Sequence, residues 1–120
     1  VLLGSPDIAR LTALDDYVLW LLGRSLAASG KDAEAMATLD RMITEFPDSI
    51  RVDDAHLKWA ESATRAGQHA KAIQRLAPLA AADNGAALLL TAKAHEAGGD
   101  QAAALRFYRK AYFRGAGSEA

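Results

Sequence analysis

Several absences limit what this sequence can do. None of its 120 residues is a cysteine, which excludes disulfide frameworks and thiolate metal sites. The net charge of −1 lacks the basic excess expected of a nucleic-acid-binding domain, so we expect no nucleic-acid partner. No apolar run approaches the roughly 20 residues of a membrane-spanning helix, so we expect no membrane span.

What the sequence does contain is much alanine and leucine. Hydrophobic residues make up 51% of the chain, and there are only three prolines. Because alanine and leucine favour helix and β-branched residues are few, the composition predicts an all-α domain with room for a core. The chain starts at Val1 and not at an initiator methionine, so we expect it to be processed or cut from a longer protein.

The clearest pattern is a helical hairpin over residues 19–47. Leu19, Leu22 and Leu26 repeat at helical spacing, and Gly30 then supplies a turn. A second helix is predicted over 32–46, closed by Pro47. The first helix is expected to begin at Asp15 or Asp16, where carboxylates suit a helix N-terminus.

The same outline returns twice downstream. Gly30, Gly67 and Gly99 lie 37 and 32 residues apart, close to the 34-residue period of one helical repeat. The patterns predict four further helices, over 48–66, 69–82, 86–97 and 100–113. Pro78 is expected to kink or shorten the second of these, and Gly115 with Gly117 to end the last. Its inward face is predicted to include Leu105 and Tyr112.

These spacings resemble the tetratricopeptide repeat. The positions that carry the resemblance in the first unit are Leu19, Leu22, Gly23, Leu26, Gly30, Ala35, Leu39, Met42 and Pro47. The resemblance implies antiparallel helix hairpins stacked as a right-handed solenoid. It divides the chain into a flank at 1–15 and repeats at about 16–49, 53–84 and 85–118.

The resemblance also implies a binding surface, because such arrays bind partners on the concave face formed by the first helix of each repeat. Function is then expected to be non-enzymatic, as a scaffold that binds a protein or peptide. The aromatic and guanidinium groups of Tyr17, Trp20 and Arg24 are suited to anchor an interface, although Trp20 packing on the flank is an equal alternative. The candidate residues are Tyr17, Trp20, Arg24, Asp54, Leu57, Glu61, Arg65, Leu89, Lys93 and Glu96.

A second resemblance covers the whole chain. The segments at 21–26, 46–49 and 108–113 resemble the helical region that precedes the catalytic domain of bacterial soluble lytic transglycosylases. This resemblance implies an accessory role in a periplasmic enzyme that cleaves peptidoglycan, with the cytoplasm as the alternative compartment. Glu61-Ser62 lacks the further catalytic signature of those enzymes and a partner carboxylate, so no catalytic residue is expected.

Three other features have structural interpretations. His56, His69 and His95 lack metal-ligand spacing, and neither metal nor cofactor is expected. Cations on the last helix alternate with aromatic residues, which would suit a polyanion but also a helix C-terminus. They are Arg106, Arg109, Lys110 and Arg114. Terminal repeats expose apolar surface, so self-association through the terminal helices is expected.

Overall fold

Six helices follow one another over residues 15–119 in the computed structural model. It describes the backbone of residues 15–119 and the side chains of residues 15–113, and it contains no strand over that range. The predicted flank at 1–15 lies outside the described residues except for Asp15. The helices are α1 (Asp16–Ala28), α2 (Asp32–Glu45), α3 (Val52–Arg65), α4 (His69–Ala81), α5 (Gly85–Ala97) and α6 (Gln101–Glu119).

Glycine turns pair the helices into three hairpins, as the sequence predicts. Gly30, Gly67 and Gly99 have φ angles of +79°, +82° and +87°, in the left-handed region where only glycine is free of a Cβ penalty. Short polar side chains start the first helix of two hairpins. Asp15 accepts the backbone N–H of Val18, and Asn84 does the same for α5, which satisfies otherwise unpaired helix donors.

The hairpins stack in chain order. The second helix of each hairpin packs on the first helix of the next, α2 on α3 and α4 on α5. The first helices α1, α3 and α5 also contact one another in sequence, so they form one layer of an elongated body measuring 57 × 32 × 20 Å. This is the all-α hairpin array that the spacings predict.

A polar cluster joins the first two hairpins around Trp59. The indole is only 5% exposed, and its N–H donates to the Asp40 carboxylate of α2 at 3.0 Å. Arg75 of α4 lies 3.7 Å from the ring centroid and donates to the same carboxylate at 2.8 Å. One side chain of α3 is therefore held by both neighbouring second helices, through a hydrogen bond and a cation–π contact.

Small residues let the helices come close. A Cβ at Gly23 would lie 2.6 Å from Cδ2 and 2.8 Å from Cγ of Leu39, a residue with no solvent exposure. Ala35, Ala60 and Ala72 are likewise fully buried. Small side chains at these positions permit close contact between the helices.

Three residues predicted to face inward are exposed instead. Leu22 is 42%, Leu105 52% and Tyr112 72% exposed. Leu22 lies on the outer face of α1, and the other two lie on the outer face of α6. The prediction was wrong because helical periodicity identifies an apolar stripe, but only a neighbouring helix buries it, and no described helix packs on either face.

The helix ends differ from the predictions in two places. Helix α3 begins at Val52 and not near Ser49, because the Ser49 hydroxyl donates to the Asp16 carboxylate and accepts the Arg51 N–H. Helix α6 runs through 115 and 117 to Glu119, since a helical glycine costs only about 1 kcal/mol. Helix α4 itself continues through Pro78 to Ala81, close to the predicted end at 82, so Pro78 does not shorten it; the kink stays a prediction.

We expect Gly23→Val to destabilise the protein by about 2 kcal/mol, because the added carbons would overlap the buried Leu39 side chain. Ala37→Val is the matched control. It adds the same side chain at an exposed position of α2 and should change stability by less than about 0.5 kcal/mol. Urea unfolding measures both, and equal losses would contradict the close contact.

Candidate functional site

A groove opens where the first helices lie side by side. Its volume is about 480 Å³, and α1, α3 and α5 all contribute to its walls. Apolar side chains, all partly exposed, supply much of its surface, and charged residues border them. The lining residues are Trp20, Asp54, Leu57, Lys58, Glu61, Ala86, Leu89, Leu90 and Lys93.

A second, more polar hollow adjoins this groove toward the C-terminal end of α1. It has a volume of about 310 Å³ and is lined by Arg24, Ala27, Ala28, Lys58, Glu61 and Arg65. Arg24 lies 5.8 Å from the centroid of the Trp20 ring, within cation–π distance. Two members of the predicted aromatic and guanidinium patch are therefore together at the junction of the two hollows.

The third member of that patch is engaged elsewhere. Tyr17 packs under the guanidinium of Arg51 at 4.7 Å, in the connection between α2 and α3, and it lines neither hollow. Glu96 lies outside the lining as well and accepts a hydrogen bond from the Tyr108 hydroxyl at 2.8 Å. The structure gathers the other eight predicted residues around the two hollows.

Arg65 has a largely structural role at this surface. Its Nη2 donates to Asp32 Oδ1 at 2.9 Å and to the Ala27 carbonyl at 3.3 Å, while Nη1 donates to Glu61 at 3.0 Å. One guanidinium thus joins the end of α3 to the first hairpin. Hydrogen bonding from Arg65 is the main reason why the pKa of Asp32 lies below its ordinary value.

The charges around the groove are unevenly paired. Glu61 forms ion pairs with Lys58 at 3.5 Å and with Arg65 at 3.0 Å. Arg24 and Lys93 form no ion pair with any residue in the described part of the chain. Four cations and two carboxylates line the two hollows, so the surface is net positive although the chain is not.

Sequence reasoning missed Lys58 and Leu90 as lining residues. Each follows a predicted lining residue directly, Lys58 after Leu57 and Leu90 after Leu89. Lys58 also lies three residues before Glu61, a spacing that places two helical side chains on one face. That spacing could have identified Lys58, whereas Leu90 depends on how α3 and α5 approach each other.

The histidines occupy packing positions. The His95 ring stacks on Phe107 at a centroid distance of 5.4 Å. His56 is half-buried, and its Nδ1 has no hydrogen-bond partner; burial and the nearby Arg75 lower its pKa. Between residues 15 and 113, no three acidic, histidine or cysteine side chains lie close enough to hold a metal ion.

Two cations of the predicted basic stripe cover an aromatic ring. Arg106 and Lys110 lie 5.6 Å and 5.1 Å from the centroid of Phe107. This arrangement gives them a packing role on α6. Packing on Phe107 is a third interpretation, beside the polyanion binding and the helix C-terminus role that the sequence leaves open.

The stacked hairpins and the groove along their first helices define a helical-repeat solenoid of the partner-binding type. Two family models, each described as tetratricopeptide repeat, match residues 17–49 and 57–119. The chain belongs to the tetratricopeptide repeat family, whose repeats generally mediate protein–protein interaction. Comparison with curated proteins finds no match. No helix over residues 15–119 is long and apolar enough to cross a membrane.

We expect Arg65→Met to destabilise the protein by about 1 kcal/mol at neutral pH, a value reduced for the 43% exposure of the arginine side chain. Because the folded-state pKa of Asp32 is lowered, its stabilising effect is present above the ordinary value of 3.8. That effect is lost as the pH falls through the lower folded-state pKa. The difference from wild type should therefore shrink in acid.

Chemical unfolding of both proteins across pH measures this difference. Arg24→Met is the matched control, since Arg24 forms no ion pair within the described residues, and it should leave stability nearly unchanged. An Arg65→Met loss that is independent of pH, or equal to that of the control, would contradict the role assigned to the Asp32 pair.

Proposed function

We propose that this chain is a non-enzymatic interaction module that binds a segment of a partner protein along the groove. The observation that supports it best is the combination of a 480 Å³ groove with partly exposed aromatic and aliphatic side chains on its surface. Trp20, Leu57 and Leu89 come from three different helices, so only the assembled stack forms the surface. Concave faces of helical repeats are well suited to extended partners.

The charges indicate the chemistry of that partner. Lys93 borders the apolar part of the groove, and Arg24 borders the adjoining hollow. Neither has a carboxylate partner in residues 15–113, so each can pair with a ligand carboxylate. We therefore infer a segment with a large apolar side chain, seated between Leu57 and Leu89, and acidic residues beside it.

Selection from a random peptide library on the 120-residue chain tests this proposal. Enriched peptides should share a large apolar residue next to aspartate or glutamate. Leu89→Glu should weaken the binding of those peptides at least about tenfold, because it places a carboxylate at an apolar contact. Leu89 is 39% exposed, so the substitution should leave the helices intact, as circular dichroism can verify.

Ile50→Glu is the matched control for that measurement. It makes a comparable change at a residue that is 89% exposed and lies in the connection between α2 and α3, away from the groove lining. It should bind the selected peptides as wild type does. Peptides that bind Leu89→Glu as tightly as wild type, or that share no apolar and acidic pattern, would refute the proposal.

The accessory role in a lytic transglycosylase stays a prediction from sequence resemblance. Glu61, of the Glu-Ser pair that lacks the rest of those enzymes' catalytic signature, is engaged by Lys58 and Arg65 on the groove wall. That pairing suits a structural surface carboxylate. The groove therefore supports the interaction module, and no observation adds to the accessory role.

A further inference from the structure

The junctions inside the chain bury a fixed set of positions on each first helix. Counted back from the turn glycine, positions 12, 8 and 5 of α3 and of α5 are buried. Each of these residues is at most 5% exposed. They are Ala55, Trp59 and Ser62 in α3, and Ala87, Thr91 and Ala94 in α5. Position 8 lies against the preceding second helix in both: Trp59 bonds Asp40, and Thr91 lines a cavity with Ile73.

The same positions of α1 are exposed. They are occupied by Val18, Leu22 and Ser25, and the two apolar residues are 40% and 42% exposed. Leu21 beside them is 37% exposed. We call this stripe of α1, formed by Val18, Leu21, Leu22 and Ser25, the leading face. Its place in the repeat is that of a surface that packs against a second helix.

The last helix has the complementary surface. Positions 6 and 13 after the turn glycine are Met36 and Ile43 in α2 and Ile73 and Ala80 in α4, and all four pack into the core. In α6 the same positions are Leu105 and Tyr112, at 52% and 72% exposure. We call this stripe the trailing face. The trailing face has the repeat position of a surface that packs on the first helix of the following hairpin.

Charge differs between the two ends in a complementary way. Residues 15–48 contain seven carboxylates and three cations, whereas residues 101–113 contain three cations and no carboxylate. Arg109 lies between Leu105 and Tyr112 on the trailing face. Successive helices run antiparallel, so the end of α6 would lie beside the start of the helix that it covers, and in α1 that start carries Asp15 and Asp16.

We propose that copies of this chain associate head to tail, with the trailing face of one copy packed on the leading face of the next. The contact repeats the α2–α3 and α4–α5 junctions between molecules. Apolar side chains at equivalent repeat positions supply its centre, and opposite charges at the two ends select this pairing over like ends meeting. Because the two faces differ, one copy can bind a neighbour at each end, so the assembly can extend beyond a dimer into a ring or an open chain.

Sedimentation of the 120-residue chain from about 1 µM to 1 mM, a range that covers weak association, tests the proposal. The average mass should rise with concentration past that of a dimer, and high salt should weaken the association. Leu22→Glu blocks the leading face and Leu105→Glu blocks the trailing face. Each variant alone should be monomeric, with an association at least about tenfold weaker than wild type.

Mixing the two variants distinguishes head-to-tail pairing from other arrangements. Each retains one intact face, so the mixture should form a one-to-one dimer and stop there. Leu89→Glu, in the groove and off both faces, is the control and should associate like wild type. A wild-type chain that stays monomeric, a single variant that associates as strongly as wild type, or a mixture that associates no more strongly than either variant alone would overturn the proposal.

Discussion

The packing of a second helix on the next first helix is the contact on which the whole structure depends. A helical hairpin buries only part of its apolar surface by itself, and the remaining face needs a neighbour. At the first of these junctions, Trp59 of α3 is closed between α2 and α4 and bonded to Asp40. The glycine turns determine the hairpins, but these junctions determine how the hairpins lie relative to one another.

The groove follows from this stacking. Because the first helices form a continuous layer, side chains from α1, α3 and α5 meet along one surface although they are far apart in sequence. Arg65 ties α3 to the first hairpin through Asp32 of α2 and the Ala27 carbonyl of α1, and it leaves Arg24 and Lys93 as the cations open to a ligand. Arg65 thus contributes to stability, whereas Arg24 and Lys93, cations on the same surface, are available to bind a ligand.

Much of the fold could be predicted from local chemistry. The turns at Gly30, Gly67 and Gly99 are confirmed, since a left-handed φ strongly favours glycine. Burial was harder to predict. Leu22 and Tyr112 have the spacing of core residues, but their exposure depends on whether another helix covers them, which periodicity does not reveal. Similarly, no local pattern indicates that Ser49 bonds Asp16, 33 residues away.

For the site, too, positions on a single helix could be predicted, but contacts between separate elements could not. Eight of the residues selected by repeat position lie around the two hollows, because a helix displays a fixed face once its register is known. They did not reveal that Tyr17 would pack with Arg51 or that Arg65 would be tied to Asp32, since those contacts join separate elements. Side-chain pairing between hairpins is a property of the assembled stack.

Native-state hydrogen exchange of the dilute chain tests most directly whether neighbouring hairpins stabilise one another. The middle hairpin, α3 and α4, is covered on both sides, so its amides should exchange most slowly. Amides of α1 and α6, each of which packs against described helices on one side only, should exchange faster. Equal protection across all six helices, or slowest exchange in a terminal helix, would contradict the account.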